Sequence, residues 1–414
     1  MHNLDSRQTG LRQAGRALDA ANLFLADVRD GLGPYLAVYL LTEKHWDEAS
    51  IGFVMSIAAL AGIAAQTPAG ALVDATKSKR MVMAAAALLV TIPSILLPWM
   101  SGFLAIASSQ AIAQAAGVIF APALAAVSLG IFGHRAFSRR IGRNETFNHI
   151  GNAAAAAAAG ALSLVWGPTA VFYVLAVMAL GSFVSVIAIP DRMIDNDLAR
   201  GLHDAEGEPD GNTSDEKPSA VTVLLTCRPL LIFAACTFLF HLANAAMLPL
   251  VGQKLSLQDK NIGTSLMSAC IVAAQIVMVP MALLVGAKAD SWGRKPLFLA
   301  ALLVLPLRGA LYTLSDDRYW LVGVQLLDGI GAGIFGAIFP IIIADLMRGT
   351  GHFNLAQGAV ITAQGIGAAI STALAGLVVV HGGYSAAFLT LGATGAAGAV
   401  LFALAMPEPQ TVRN

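Results

Sequence analysis

The chain has 414 residues, of which 57% are hydrophobic and 12% are charged, and its formal net charge is +0 with a mean hydropathy of +0.71. Soluble domains carry about 45–50% apolar and about 25% charged residues. This composition excludes an ordinary soluble protein and indicates an integral membrane protein.

The apolar runs of the chain predict how many helices cross the membrane. A bilayer core of roughly 30 Å requires about 20 mostly apolar residues per helix. Runs of this length recur between polar, glycine and proline breaks. We predict an all-α integral membrane protein with twelve spans at approximately residues 17–42, 50–73, 80–100, 103–132, 141–165, 168–190, 228–251, 262–287, 295–314, 319–346, 355–380 and 384–406.

The first run follows a leader with Arg7, Arg12 and Arg16, which superficially suggests a signal peptide. The run is too long and too charged for that role, and it lacks a small-residue cleavage site before further spans follow. We therefore expect the leader to remain in the mature protein.

Lysine and arginine are unevenly distributed among the connections between the spans. With the N-terminus in the cytoplasm, 19 of the 25 Lys and Arg residues fall on the cytoplasmic side. Lys44, Lys254, Lys260 and Arg318 fall on the other side. The positive-inside bias predicts a multi-pass protein of the plasma (cytoplasmic or inner) membrane with both termini in the cytoplasm.

Residues 191–220, with the sequence DRMIDNDLARGLHDAEGEPDGNTSDEKPSA, differ in kind from the spans. They are rich in Asp, Glu, Gly, Asn, Ser and Pro and have no apolar periodicity, as is typical of a flexible linker. The predicted domains are an N-terminal six-helix half at 1–190, this acidic cytoplasmic linker, and a C-terminal six-helix half at 221–414.

The two halves repeat one another at a shift of 216 residues. The shift places Gly70–Asp74 (GALVD) on Gly286–Asp290 (GAKAD). It also aligns Gly142, Ile150, Gly151 and Gly160 with Gly358, Ile366, Gly367 and Gly376. Two separate segments aligned by one offset indicate homologous halves. Two parallel six-helix halves are the plan of a secondary transporter with its site between them.

The loop GAKADSWGRK resembles the sequence that the major facilitator superfamily (MFS) places between the second and third helices of each half. The resemblance covers about residues 17–406 and implies the MFS fold, but it indicates no substrate. In that family the loop closes the cytoplasmic side, with its Asp near a helix N-terminus and its basic residues against acidic ones. The resemblance therefore implies gating loops that contain Gly70, Asp74, Arg80, Gly286, Asp290, Gly293, Arg294 and Lys295.

The first copy of this loop, GALVDATKSKR, has Lys77 where the family's second glycine would lie. This departure puts the tight turn of the first loop in question. An alternative role for the basic residues of both loops is anchoring at anionic lipid headgroups.

Three charged residues, Asp27, Arg29 and Asp30, lie near the middle of the first span. At 1.5 Å per residue they are roughly 15–20 Å into the membrane, where one charge costs about 2.5–3.5 kcal/mol. They are therefore expected to face protein or water, and the following glycines and proline would allow the helix to bend. The alternative is a buried ion-pair cluster that only fixes helix packing.

Other spans bring polar side chains to a similar depth. In the superfamily the first, fourth, seventh and tenth helices line the central cavity. The resemblance thus implies one solute- and proton-binding space lined by Asp27, Arg29, Asp30, Gln110, Gln114, His241, Asn244 and Asp328, with Arg308 behind them. Structural alternatives are an ion pair of Asp328 with Arg29 or Arg308, and helix packing or helix-to-helix hydrogen bonds for the Gln and His side chains.

The segment GRNETFNHIGN at the start of the fifth span places Arg143, Glu145 and Asn148 near the cytoplasmic mouth. We interpret them as a gate network. The nearby His149 and Glu145 are a weak pattern for a metal site, because three residues separate them and no other clustered histidine accompanies them.

These observations predict a secondary active transporter of a small solute that works by alternating access and is coupled to protons. Asp27 lacks an obvious local partner and is the candidate proton carrier. Kinship with the family favours efflux. The alternatives are import of an organic anion or metabolite, with Arg29 binding its carboxylate or phosphate, and a transporter-like membrane sensor or partner protein.

The sequence favours neither an ATP-driven pump nor an enzyme. No G-x-x-x-x-G-K-[ST] motif and no Ser/His/Asp, Cys/His or metal constellation is present. Cys227, Cys236 and Cys270 lie in or beside apolar runs, in spacings that fit neither a metal site nor a disulfide framework. We expect no cofactor, no metal and no nucleic-acid partner. The expected partners are the lipid bilayer, a small-molecule substrate and protons, with the monomer as the functional form.

Overall fold

The computed structural model describes residues 2–30, 36, 39–40, 43–46, 48–166, 170–202, 220–258 and 260–407. All regular secondary structure in these ranges is helical, and no strand occurs in them. The all-α architecture predicted from the sequence is confirmed.

The helices of the first half of the chain are interrupted by two short 3-10 turns, Leu97–Trp99 and Asp191–Met193. These helices are α1 (His2–Asp30), α2 (Glu48–Ala75), α3 (Lys79–Leu96), α4 (Phe103–Gly117), α5 (Phe120–Trp166), α6 (Ala170–Ile187) and α7 (Asn196–Ala199).

The second half of the chain begins with a short helix that precedes the apolar ones. Its helices are α8 (Ala220–Thr226), α9 (Arg228–Asn244), α10 (Met247–Gln258), α11 (Lys260–Trp292), α12 (Arg294–Leu311), α13 (Arg318–Leu346) and α14 (Phe353–Ala405).

Two glycines divide the longest helices into separate spans. Gly133 in α5 has φ 70° and ψ 171°, and Gly383 in α14 has φ 78° and ψ 177°. A residue with a Cβ adopts this conformation rarely, so glycine is required at both breaks. The breaks coincide with predicted span boundaries, after residue 132 and before residue 384.

In the described residues the helical segments agree with the twelve predicted spans, and most of the second part of the first span, after Asp30, lies outside them. α5 and α14 each supply two segments, α4 continues into the first part of α5, and α9 continues into α10. Seven helical runs in the described residues are long and apolar enough to cross a membrane, and two of these runs, Phe103–Ala159 and Phe353–Ala405, each contain more than one predicted span. Large apolar side chains such as Leu104 and Leu404 are exposed, as expected for a surface that faces lipid.

The chain forms two compact units. Unit 1 comprises residues 1–133, 147–204 and 349–358, and unit 2 comprises residues 134–146, 205–348 and 359–414. The predicted boundary between the halves, at residues 190 and 221, remains a prediction.

In unit 1, α2 packs on α4, α1 packs on α6, and α3 packs on both α4 and α6. Its core is mainly aliphatic and rich in alanine, with Leu25 and Val28 completely buried, and it also contains the buried aromatic ring of Phe120. The small residues allow these helices to approach one another closely.

In unit 2, α13 packs on α11 and α12, and α11 also contacts α10. Part of its core is aromatic: the ring of Phe298 lies 5.1 Å from that of Phe233, 5.7 Å from that of Phe335 and 4.6 Å from that of Phe402. These offset and tilted pairs add specific packing to the burial of apolar surface.

The sequence repeat is reproduced in the packing of equivalent glycines. In unit 2, a Cβ at Gly142 would lie 2.6 Å from the carbonyl oxygen of Ala282. In unit 1, a Cβ at Gly358 would lie 2.3 Å from the carbonyl oxygen of Gln66. The shift of 216 residues relates Gly142 to Gly358 and Gln66 to Ala282. Each unit therefore contains the same close helix crossing.

The start of the predicted linker is folded, in contrast to the prediction for 191–220 as a whole. Asp195 caps α7 by accepting hydrogen bonds from the amides of Asp197 and Leu198, and its own amide donates to the Gly130 carbonyl at 3.1 Å. The amides of Gly349 and Phe353 donate to the carbonyls of Gly201 and Arg200. Residues 203–219 lie outside the described residues. The prediction of a flexible linker now applies only to them.

Candidate functional site

A group of polar side chains lies in the interior of unit 2 where α12 and α13 pack together. Arg308 of α12 and Tyr312, the C-cap residue directly after α12, are four residues apart, and Gln325 and Asp328 are three residues apart on α13, so each pair shares one helix face. We call these four side chains, together with Asn244 at the end of α9, the polar cluster.

The hydrogen bonds of the polar cluster converge on Arg308. Its Nη1 donates to Asp328 Oδ1 at 2.6 Å and also to the side-chain oxygen of Asn244, and its Nη2 donates to Gln325 Oε1 at 3.1 Å. Gln325 Nε2 donates to Asp328 Oδ2 at 3.0 Å, and the Tyr312 hydroxyl donates to Gln325 Oε1. Both carboxylate oxygens of Asp328 are therefore bonded.

Burial differs within the polar cluster. Arg308 is 1% exposed, and Tyr312 and Gln325 are completely buried, whereas the side chain of Asp328 is 14% exposed. Asn244 is half-buried. The accessible edge of the polar cluster is thus formed by Asp328 and Asn244, with the cation behind them.

α9 carries His241 and Asn244 one turn apart. His241 Nδ1 lies 3.1 Å from the Thr237 carbonyl oxygen, and the ring is packed edge-on against Phe335 with 5.0 Å between the ring centroids. Immediately after Asn244 the helix is interrupted, and the amide of Ala246 donates to Ser371 Oγ at 3.1 Å.

In unit 1 the structure locates part of the charged segment of the first span. Arg29 is half-buried on α1, and its carbonyl oxygen would lie 2.6 Å from a Cβ at Gly117, so α1 and α4 touch at this level. Gln114 is half-buried one turn before Gly117, and Gln110 is 4% exposed. The side chains of Asp27 and Asp30 lie outside the described ones.

The predicted gating residue Asp74 caps the start of α14 in unit 1. Its carboxylate accepts hydrogen bonds from the amides of Leu355 at 2.8 Å and Asn354 at 3.2 Å, and from the Asn354 side chain at 2.8 Å. These amides belong to the first turn of α14, where backbone donors lack helical partners and the helix dipole favours a negative charge.

The first loop turns without the missing glycine. Lys77 does not have a positive φ; the Ser78 amide donates to Thr76 Oγ1 at 3.2 Å and α3 begins at Lys79. Lys79 Nζ donates to the Thr76 carbonyl at 2.9 Å, and Arg80 Nη1 donates to the Ile187 and Ile189 carbonyls. In the second loop, Gly293 precedes α12 with φ 89°. The two loops therefore make the same connection with different backbone conformations.

The second loop contains an ion-pair network inside unit 2. Arg294 Nη1 lies 2.8 Å from Asp290 Oδ1, and Arg294 Nε donates to Asp345 Oδ2 at 2.7 Å. The side chains of Arg294 and Asp345 are 3% and 7% exposed. Ser138 Oγ donates to Asp290 at 2.8 Å, and Lys295 Nζ donates to the Met406 carbonyl at 2.7 Å.

The predicted residues of the cytoplasmic mouth lie on α5 beyond the break at Gly133. Arg143 is exposed, Glu145 and Asn148 are half-buried, and each takes part in further interactions. A Cβ at Gly336 of α13 would lie 3.6 Å from a Glu145 carboxylate oxygen.

The structure thus brings three predicted residues, Asn244, Arg308 and Asp328, into one hydrogen-bonded group, with His241 one turn away. The single space lined by all eight predicted side chains includes residues of both units and remains a prediction. No group of three or more His, Cys, Asp and Glu side chains that could hold a metal ion is found in the described residues.

Tyr312 and Gln325, which complete the polar cluster, were not predicted from the sequence. The spacing i to i+4 from Arg308 to Tyr312, and i to i+3 from Gln325 to Asp328, was the available signal. Asp345 and Asn354 were also not predicted, because only long-range contacts bring them to the gating loops.

Comparison with known proteins identifies the family. The model of the Major Facilitator Superfamily matches residues 19–305 and 233–414 of the chain. The chain belongs to the major facilitator superfamily. Mycobacterium tuberculosis strains H37Rv and CDC 1551 each have a relative, an uncharacterized MFS-type transporter, that is 57% identical over 396 residues, covering 96% of this chain and 94% of the relative.

Solved MFS structures share the fold of the chain at low sequence identity. The proton:xylose symporter XylE bound to 6-bromo-6-deoxy-D-glucose superposes with a TM-score of 0.72 at 12% identity, covering 98% of each chain. The fucose:proton symporter FucP of Escherichia coli gives a TM-score of 0.68 at 15% identity, covering 94% of this chain and 97% of FucP. The protein is therefore a multi-pass membrane transporter with the MFS fold.

Proposed function

We propose that the protein is a proton-coupled secondary transporter that moves a small solute by alternating access. The observation that carries this proposal is the buried ion pair of Arg308 and Asp328 in the polar cluster. A buried ion pair is usually no better for stability than apolar side chains of the same volume. A role in transport accounts for a charge pair that stability alone does not require.

The proposed binding groups are the residues identified in the sequence. Asp27 is the proposed proton carrier of the first span, and Asp328 is a second carboxylate at which a proton can bind. The solute- and proton-binding set is Asp27, Arg29, Asp30, Gln110, Gln114, His241, Asn244 and Asp328, with Arg308 behind it.

Proton uptake at Asp328 would change the polar cluster in a defined way. A charge-assisted hydrogen bond between a guanidinium and a carboxylate is roughly twice as strong as a neutral one. Protonation of Asp328 removes that assistance, so Arg308 keeps its bonds to Asn244 and Gln325 and loses much of its attraction to Asp328. A change of this size can bias a two-state equilibrium between conformations.

The gating loops are proposed to stabilise one of those conformations. Asp74 at the first turn of α14, and Asp290 with Arg294 in the second loop, make hydrogen bonds that a helix movement would break. Arg143, Glu145 and Asn148 are proposed to belong to the same cytoplasmic gate.

Location and direction follow from charge distribution and kinship. We place the protein in the plasma membrane with both termini in the cytoplasm and a monomer as the working unit. Export is the proposed direction, on kinship with the superfamily. The names of XylE and FucP as proton symporters support proton coupling.

A second candidate is import of a small organic anion. It is favoured by Arg29, a half-buried cation at the level where α1 touches α4. A guanidinium binds carboxylate and phosphate groups through two parallel hydrogen bonds.

The experiment is thermal unfolding of the purified protein with a panel of organic anions, organic cations, sugars and amphipathic drugs, at about pH 5.5 and about pH 7.5. A ligand that binds only the folded state raises its stability. We expect one chemical class to stabilise the wild type in a pH-dependent manner, and Asp328→Asn to remove the pH dependence. Asp197→Asn, which breaks the exposed pair with Arg200, is the matched control.

If the stabilising class is anionic and Arg29→Ala abolishes its effect, the second candidate is correct. If no solute stabilises the wild type and Asp328→Asn and Arg29→Ala are both much less stable, the midplane charges are structural and the proposal is wrong.

A further inference from the structure

The helix is interrupted between α9 and α10, next to the polar side chains of His241 and Asn244. α9 ends at Asn244 and α10 begins at Met247. In an unbroken helix the Ala246 amide would donate to the Leu242 carbonyl, but here it donates to Ser371 Oγ, which is completely buried on α14. The Leu242 carbonyl thereby loses its usual helical donor. Broken helices in transporters are tolerated where they line a cavity.

Asn244 contacts the polar cluster through its side-chain oxygen and not through its amide nitrogen. Arg308 has only hydrogen-bond donors, so the side-chain atom of Asn244 that contacts it must be the carbonyl oxygen. The Nδ2 group then lies on the opposite branch of the amide. In the described part of the chain no acceptor is bonded to it, and Asn244 is only half-buried.

His241 is held in one tautomer. Its Nδ1 faces the Thr237 carbonyl, which can only accept, so Nδ1 carries the hydrogen. In the neutral ring Nε2 is then an acceptor. Among the described residues no donor is bonded to Nε2. His241 and Asn244 are three residues apart and therefore share a face of α9, with one acceptor and one donor available.

The charges behind this face cancel. Arg308 and Asp328 form a pair, and Gln325 bonds to both of them without adding charge, while Arg308 Nε has no hydrogen-bond partner among the described residues. Among the described residues no further charged side chain is bonded to His241 or Asn244, so a charged ligand group beside them would carry a desolvation cost without a counter-ion there. A hydroxyl group both donates and accepts, so neighbouring hydroxyls match Nε2, Nδ2 and the Leu242 carbonyl.

We propose that His241, Asn244 and the broken backbone after α9 form a subsite for an uncharged, hydroxyl-bearing solute. Arg308 and Asp328 are positioning residues at this subsite: they fix the side-chain amide of Asn244 so that its Nδ2 faces the solute. The inference rests on the proposed function and specifies the chemical class of its substrate.

The test uses the purified full-length protein and four probes. Myo-inositol and D-xylose are uncharged and carry neighbouring hydroxyls, succinate is an anion, and tetraphenylphosphonium is an amphipathic cation. We expect myo-inositol or D-xylose to raise the midpoint of thermal unfolding in a saturable way, and succinate and tetraphenylphosphonium to leave it unchanged.

Two variants locate the effect on α9. His241→Leu removes the acceptor and should weaken the apparent affinity about tenfold or more, whereas His241→Gln should restore part of it. His381→Leu is the matched control, because His381 makes the same Nδ1 contact with the carbonyl four residues earlier, Leu377, at an exposed position. It should bind the probes as the wild type does.

The positioning role has its own readout. Arg308→Lys keeps a cationic donor towards Asn244 and should retain more affinity than Arg308→Gln, with both compared at equal fractions of folded protein. If the two variants bind the probe equally, Arg308 does not position Asn244.

The inference is overturned if neither hydroxyl-bearing probe stabilises the protein, if a charged probe does so instead, or if His241→Leu binds as tightly as the wild type. These results are distinguishable from failure of the proposed function. If the protein transports a charged solute in response to a pH gradient, the proposed function is supported and the hydroxyl-binding subsite is contradicted. If it binds myo-inositol but shows no pH-driven transport, the subsite is supported and the proposed function is contradicted.

Discussion

Arg308 and Asp328 form an ion pair with 2.6 Å between Nη1 and Oδ1, in which the cation is 1% exposed and the carboxylate 14% exposed. The pair joins α12 to α13, and its unequal burial leaves one side accessible.

Removing one or both partners of this pair separates stability from function. Arg308→Met leaves a carboxylate uncompensated and should lower the free energy of unfolding by about 3–5 kcal/mol. The double variant Arg308→Met/Asp328→Leu replaces both charges by apolar side chains and should regain most of that loss, while transport stays abolished. Chemical unfolding in detergent measures the first quantity and liposome uptake the second. A double variant as unstable as the single one would show that the pair is structural.

The cap formed by Asp74 on α14 gives a prediction about gating. Asp74→Ala should cost about 0.5–2 kcal/mol of stability, as loss of an N-cap usually does, and should also alter transport. Asp317→Ala is the matched control, since Asp317 caps α13 through the amides of Tyr319 and Trp320 at 2.9 and 3.0 Å. Both variants should lose similar stability. Equal effects of the two on the transport rate would contradict a gating role for Asp74.

The close helix crossing at Gly142 predicts a steric effect. In Gly142→Ala the new Cβ would lie 2.6 Å from the Ala282 carbonyl oxygen, so the helices must move apart, at a cost of about 1–3 kcal/mol. Gly376→Ala meets nothing within 4 Å and should stabilise its helix by about 0.5–1 kcal/mol. Thermal unfolding of both variants measures the difference. Equal midpoints would mean that the crossing is looser than described.

The second loop predicts that arginine is specifically required at position 294. Arg294 reaches Asp290 and Asp345 through different nitrogens of one planar group, which the single ammonium of a lysine cannot reproduce. Arg294→Lys should therefore destabilise the protein by about 1.5–3 kcal/mol. The neighbouring Lys295→Arg, where one nitrogen contacts one carbonyl, should change stability little. Similar losses of stability in the two variants would contradict the contact of Arg294 with both Asp290 and Asp345.

The local features of the fold were predictable because they depend on neighbouring residues. Apolar runs set the spans, and glycines at 133 and 383 end them where predicted. The repeat was readable because Gly142 and Gly358 serve the same close contact in their units. The cap of α7 by Asp195 was not predicted, because the acidic composition of 191–220 indicated a flexible linker for the whole segment.

The site was predictable only in part because its geometry depends on distant residues. Asn244, Arg308 and Asp328 were identified as unusual polar residues at similar depth, yet nothing in the spacing shows that one guanidinium contacts all of its partners. The partnership of Arg294 with Asp345 joins residues 51 positions apart. The backbone conformation of the turn at Lys77 could not be predicted, because several conformations can connect α2 to α3.

Proton coupling is tested most directly in liposomes that contain the purified protein and a pH-sensitive dye, with the membrane potential clamped. A solute that stabilises the protein is added on one side, and the internal pH is recorded. We expect solute entry to change the internal pH in the wild type and to leave it unchanged in Asp27→Asn. If the wild type moves the solute and the internal pH stays constant, or if Asp27→Asn retains full pH-driven transport, the assignment of a proton-coupled mechanism through Asp27 is contradicted.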